Sequence, residues 1–164
     1  MGQMMKSIEP SVSKQQLNIL MGQDINTDLT LAQVTPVEAS VLDSINYDGD
    51  LTTALTQSFD VRLVSDDSTQ YEDAKRSLTL AFQNAYQDIR AKRDALSLQQ
   101  DKLTNEEENY NVMTLKYKLG MISKMALDSE RYTYLAQQDE VKAAERDLLQ
   151  SYTTYNWMKK GYKQ

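Results

Sequence analysis

No glycine or proline falls between Gly49 and Gly120, and none between Gly120 and Gly161. Both intervals are rich in Ala, Leu, Glu, Gln, Lys and Arg, whose side chains lose little rotamer freedom on a helix. They predict two helices far longer than the about 11–12 residues usual in globular proteins, and helices of that length need a partner along their sides. The period supplies one. Phe82, Ile89, Leu96, Leu103, Tyr110 and Tyr117 recur every seven residues, as do Leu127, Tyr134, Val141, Leu148, Tyr155 and Tyr162. Such ladders are apolar coiled-coil seams. Folded back on each other, they pair Tyr117 with Leu127, Tyr110 with Tyr134, Leu103 with Val141, Leu96 with Leu148 and Ile89 with Tyr155. That register is centred on Ile122, beside Gly120.

The turn chemistry agrees. Gly120 suits the left-handed position just past a helix end, Ser123 can cap the returning helix, and Ile122 and Leu127 stand at the spacing of a hydrophobic staple. Arms over roughly 69–119 and 123–160 would extend about 55 to 75 Å. The fold class expected is all-α: a long antiparallel coiled-coil helical hairpin preceded by shorter helices. Residues 1–35 are expected to hold the end of a preceding helix plus a linker, 36–64 short helices, and 65–164 the hairpin with its turn at 120–123.

Upstream, 11–21 reads as the last turns of a helix stopped by Gly22. Thr35-Pro36-Val37-Glu38 resembles a capping box with proline at the first helical position, predicting a helix over 36–47. Asp48-Gly49-Asp50 should break it, with Asp50 capping a further helix to about Val64. Ser65-Asp66-Asp67-Ser68 restarts the chain into the long arm. Asp28-Leu29-Thr30-Leu31 alternates and could be extended.

The heptad companion positions are wet. They read Leu78, Ala85, Lys92, Gln99, Glu106 and Met113 in the first arm, and Arg131, Gln138, Glu145 and Tyr152 in the second. Either long polar side chains lie across the seam with their heads in water, or the pair packs against further helices around a solvated groove.

Composition narrows the chemistry. The chain has no His and no Cys, which removes the usual neutral-pH base, thiolate chemistry and the common zinc sites. A net charge of −6 with interspersed cations offers no basic stripe for nucleic acid. Glu106-Glu107-Glu108 point three ways around a helix and cannot converge on one ion. No phosphate loop, nucleophile elbow or metal-ligand spacing occurs. Neither an enzyme nor a cofactor or metal site is expected. The apolar patch Leu17–Met21 is too short for a secretory signal, and no run reaches the about 18 apolar residues of a spanning helix.

The string Tyr117-Lys118-Leu119-Gly120-Met121-Ile122-Ser123, set between two long arms, resembles the second-half hairpin of TolC-like outer-membrane efflux proteins, where Tyr-x-x-Gly-x-x-Ser/Thr forms the tip turn. The likeness covers roughly 71–161, including the return from Ala136 to Ala144 and the ending from Trp157 to Gly161. Leu17-Asn18-Ile19-Leu20-Met21-Gly22 is similar to the close of the family's first half. The chain departs from the pattern at Ala126, where the family often has an acid, and at Ser65 to Gln70, where it inserts membrane strands. The resemblance implies a fragment, or a relative from a cell without an outer membrane. It further implies a homo-oligomer (a trimeric tube), a location in the cell envelope, extracytoplasmic or associated with the outer membrane, and a tip of Tyr117, Gly120, Ser123 and Lys124 that contacts a periplasmic adapter (membrane fusion) protein. A coiled-coil spacer or tether with no transport role is the competing expectation.

Overall fold

The computed structural model describes residues 12–30 and 35–162. Every regular element among them is an α-helix: α1 over 12–20, α2 (Ala39–Asp43), α3 (Tyr47–Gln57), α4 (Phe59–Leu63), α5 (Ser68–Lys118) and α6 (Lys124–Lys159). The chain divides into two compact units, Met1–Val34 and Thr35–Gln164.

In the first unit, α1 ends at Gly22, whose φ of +69° is left-handed. The Gly22 amide donates to the Ile19 carbonyl and the Gln23 amide to the Asn18 carbonyl, the paired bonds of a Schellman ending. The Asn18 side-chain amide then donates to the carbonyls of Ile25 (3.1 Å) and Thr27 (2.9 Å), tying the following loop to the helix end. Asp28-Leu29-Thr30 has no regular structure. Residue 11, and Leu31 of the alternating stretch, lie outside the described residues.

In the second unit, α5 and α6 rise about 75 and 55 Å at the helical 1.5 Å per residue. They pack on each other through contacts between Asp88 and Ser151, Lys92 and Asp147, Gln99 and Gln137, and Tyr110 and Tyr134. Asp67 starts α5: its Oδ1 accepts from the amides of Thr69 and Gln70, both at 3.0 Å. The Gln70 amide, and then the Gln70 side chain, hold the Asp67 carboxyl below the usual aspartate value.

The ladders are not buried evenly. Phe82, Ile89, Leu148 and Tyr155 are buried, joined by Met158, Leu42 and Ala54 in one cluster. Toward the turn Leu96, Leu103, Tyr110, Leu127 and Tyr134 are only half-buried and Tyr117 is exposed, although Val141 stays buried. The dry core thus sits where α5 begins and α6 ends. The cause is company: α3 packs on both long helices there and α4 packs on α5. Tyr47 of α3 places its ring 5.8 Å from Phe82 and 5.1 Å from Tyr86, and Phe82 lies 4.6 Å from Tyr155. These tilted pairs add about 0.5–1.5 kcal/mol each beyond the area they bury.

The short helices differ from the sequence expectation. A single helix over 36–47 does not form. Helix α2 begins only at Ala39, after Glu38, which makes no side-chain cap bond, so the Thr35–Glu38 capping box is unused. The Glu38 carboxylate accepts instead from the Ser40 hydroxyl at 3.4 Å. Asp48-Gly49-Asp50 is not a break but the first turn of α3, capped by the Asn46 side chain, which accepts from the Gly49 amide at 3.2 Å. A Cβ on Gly49 would come within 2.9 Å of the Asn46 amide nitrogen, so the glycine makes room for its own cap. The expected helix from Asp50 to Val64 is divided at Ser58, whose hydroxyl caps α4 by accepting from the Val61 amide.

Candidate functional site

The segment between α5 and α6 is built from backbone upward. Leu119 ends α5, and Gly120 follows with φ +70°. The Gly120 amide donates to the Tyr117 carbonyl at 2.9 Å and the Met121 amide to the Lys116 carbonyl at 2.9 Å. These are the two bonds of a Schellman ending, which satisfy carbonyls that the helix leaves open. A Cβ at Gly120 would meet nothing within 4 Å, so only its backbone angle calls for glycine. Ser123 then caps α6, its hydroxyl accepting from the Ala126 amide at 3.2 Å. Gly120 and Ser123 therefore lie on the short turn, with Tyr117 at the end of α5 and Lys124 at the start of α6 flanking it, and all four are exposed. Ile122 and Leu127, at the staple spacing, are both half-buried.

Along the seam, two of the polar companion positions, Lys92 and Gln99, meet partners on the other helix, while Gln138 bonds within α6. Lys92 pairs with Asp147 at 3.3 Å, and the Gln137 amide donates to the Gln99 side chain at 2.9 Å and to the Gln99 carbonyl at 3.2 Å. Gln138 donates to the Tyr134 hydroxyl at 2.8 Å. Both charges of the Lys92–Asp147 pair are solvent-exposed, so that bridge is worth no more than about 1 kcal/mol. Its use is to fix which residues face each other.

A second polar feature sits in the dry core. The Tyr155 hydroxyl donates to Asp50 Oδ2 at 2.9 Å, and Lys159 Nζ stands 2.6 Å from Asp50 Oδ1. Burial, then the hydrogen bond and charge of Asp50, push the Tyr155 phenol far above its ordinary value, so it remains a donor. Asp50 is buried, and its two partners both come from α6. Sequence reasoning assigned Asp50 to a helix cap. Nothing near position 50 points to Tyr155, more than a hundred positions away, and only the heptad placement of Tyr155 indicated that it faces inward.

A cleft of about 640 Å³ between α4, α5 and the end of α6 has Leu63, Leu78, Ala81 and Met158 among its lining residues, together with Asp88, whose carboxylate accepts from the Ser151 hydroxyl. Among the described residues no group of three or more His, Cys, Asp or Glu gathers as metal ligands. Glu106 is half-buried while Glu107 and Glu108 are exposed, so the acidic run diverges around α5. Among the described residues no helix is long and apolar enough to cross a membrane. Comparison of the chain with protein-family models, with curated proteins and with solved structures returns no match in any of the three.

Proposed function

We propose that α5, the turn and α6 form an antiparallel coiled-coil hairpin, and that this hairpin is a non-enzymatic element of a TolC-like efflux or secretion conduit of the cell envelope. The observation that carries the proposal is the turn. Its Tyr117, Gly120 and Ser123 occupy the three positions of the family's tip pattern, as a carbonyl acceptor, a left-handed residue and a helix cap. The order of contacts supports the antiparallel pairing, since Asp88, Lys92, Gln99 and Tyr110 meet Ser151, Asp147, Gln137 and Tyr134 in descending sequence. The helix endings at Gly22 and Gly161 support the resemblance too, because each closes by the same pair of bonds. In this reading copies of the chain associate into a trimeric tube, and Tyr117, Gly120, Ser123 and Lys124 meet an adapter hairpin.

Cysteines at Leu103 and Val141 are expected to cross-link within one chain under mild oxidation, whereas cysteines at Leu103 and Leu127 are not. The reverse pattern, read by non-reducing electrophoresis, would remove the register. For the conduit itself, light scattering of the purified chain should give a multiple of the 18.8 kDa protomer mass, with rings or tubes in electron micrographs. A strict monomer at high concentration, with and without an adapter, is the result that defeats it.

A spacer or tether is the second reading, and the seam favours it. Lys92 and Gln99 find partners on the opposite helix of the same chain, so they do not need a further layer of helices to satisfy them. Leucine at Lys92, Gln99 and Glu106 separates the two. A spacer gains stability and keeps its role, whereas a conduit loses assembly or transport.

A further inference from the structure

From Asn109 to Leu127 the chain carries three lysines and no acid, although the whole chain is acidic at −6. Lys116, Lys118 and Lys124 are exposed, and the ion pairs among the described residues use none of them. Lys116 and Lys118 stand in the last turn of α5, where the helix dipole favours a cation. Lys124 has no such reason. It is the first residue of α6, at the positive end of the dipole, in a first turn that contains no acid. An acid there would stabilise the helix and a lysine opposes it.

The same turn also exposes a cluster of apolar side chains. Leu119, Met121 and Met125 are 66%, 67% and 81% exposed, and Leu115 stands beside them on α5. Clustered exposed apolar residues rimmed by charge mark an interaction surface, and methionine adapts to an irregular partner. Both features occur at the end of the long helices opposite the dry core. Local helix stability accounts for Lys116 and Lys118, but neither for Lys124 nor for the exposed apolar side chains.

We infer that the tip surface formed by Lys116, Lys118, Lys124, Leu119, Met121 and Met125 docks an acidic helical-hairpin tip with an apolar crown. This rests on the adapter-docking reading above and specifies the partner's chemistry: carboxylates spread around leucine-like side chains, because Lys116 and Lys118, two positions apart, stand on different sides of α5 and rim the apolar patch rather than converge. Charge complementarity sets the choice of partner and the encounter rate, while the apolar residues supply most of the affinity.

The test uses the full chain and two disulfide-stapled helical-hairpin peptides alike except at the turn, one carrying Glu beside Leu and the other Lys beside Leu. Vesicles of phosphatidylglycerol and of phosphatidylcholine form two further arms. Calorimetry should show the Glu peptide binding about tenfold or more tighter than the Lys peptide, with the difference shrinking as salt rises. The combined variant Lys116→Gln, Lys118→Gln and Lys124→Gln should lose that preference, with its circular dichroism unchanged. The variant Leu119→Ser, Met121→Ser and Met125→Ser should lose binding to both peptides. Equal binding, or preference for the Lys peptide, overturns the charge assignment and leaves adapter docking standing. No binding of either peptide overturns both. Binding to phosphatidylglycerol vesicles with neither peptide bound replaces the protein partner with a lipid surface, which also overturns the inference.

Discussion

Replacing Phe82 with alanine is expected to cost about 3–5 kcal/mol, the range for truncating a fully buried aromatic side chain. Replacing Tyr110, four rungs further along the same ladder, should cost about 1 kcal/mol. Both residues occupy the same heptad position, and an evenly packed coiled coil would assign them similar weight. Their surroundings differ. Phe82 is fully buried among Tyr47 of α3, Tyr155 of α6 and the rest of the core cluster. Tyr110 has the parallel ring of Tyr134 at 5.5 Å and is otherwise half in water. Urea denaturation followed by circular dichroism measures both changes. Similar losses would show that α2–α4 contribute little and that the two long helices hold themselves together uniformly. The expected disparity instead makes the end near Phe82 the anchor of the unit, with the part near the turn held by half-buried rungs and exposed polar bridges. That part would exchange its amide hydrogens first.

What the sequence made legible follows the range of the physics. The long helices and their ends were readable because propensity, heptad period and capping all act within a few residues. Asp67, Gly120 and Ser123 each do their work on neighbours two or three positions away. The short helices were misjudged where two local signals competed. Thr35 and Glu38 fit a capping box, but Asn46 and Ser58 make the side-chain caps that form. Gly49 read as punctuation because its bond to Asn46 is a helix start seen from inside. The Asp50 site was out of reach for a different reason. A buried carboxylate is costly unless it is paired, and its partners Tyr155 and Lys159 adjoin it only once α3 has packed on α6. At the turn, the tip residues were named from a pattern, but the exposure of Leu119, Met121 and Met125 became visible only with burial in hand.

Two glycines with nearly the same backbone should respond very differently to alanine. Gly120 and Gly161 have φ of +70° and +88°, and each closes a long helix by the same two bonds. At Gly120 an added methyl group meets only solvent, so the cost is that of a left-handed alanine, roughly 1–2 kcal/mol. At Gly161 the methyl group would press on the Gln57 carbonyl group, 2.5 Å from its carbon, and lie 3.0 Å from the Ser58 amide nitrogen. Those atoms are backbone at the junction of α3 and α4 and cannot swing aside like a side chain. Accommodating the methyl group requires moving α6 away from that junction, which strains the nearby Asp50 contacts with Tyr155 and Lys159. Adding roughly 1–3 kcal/mol for overpacking to the left-handed penalty gives about 2–5 kcal/mol for Gly161→Ala. Asparagine tests the reasoning, because it tolerates the left-handed region but still carries a Cβ. It should restore most of the stability at position 120 and little of it at 161. Equal rescue at both positions, measured by thermal or urea denaturation, would mean that backbone conformation alone sets the need for glycine and that the approach of α6 to Gln57 and Ser58 contributes nothing.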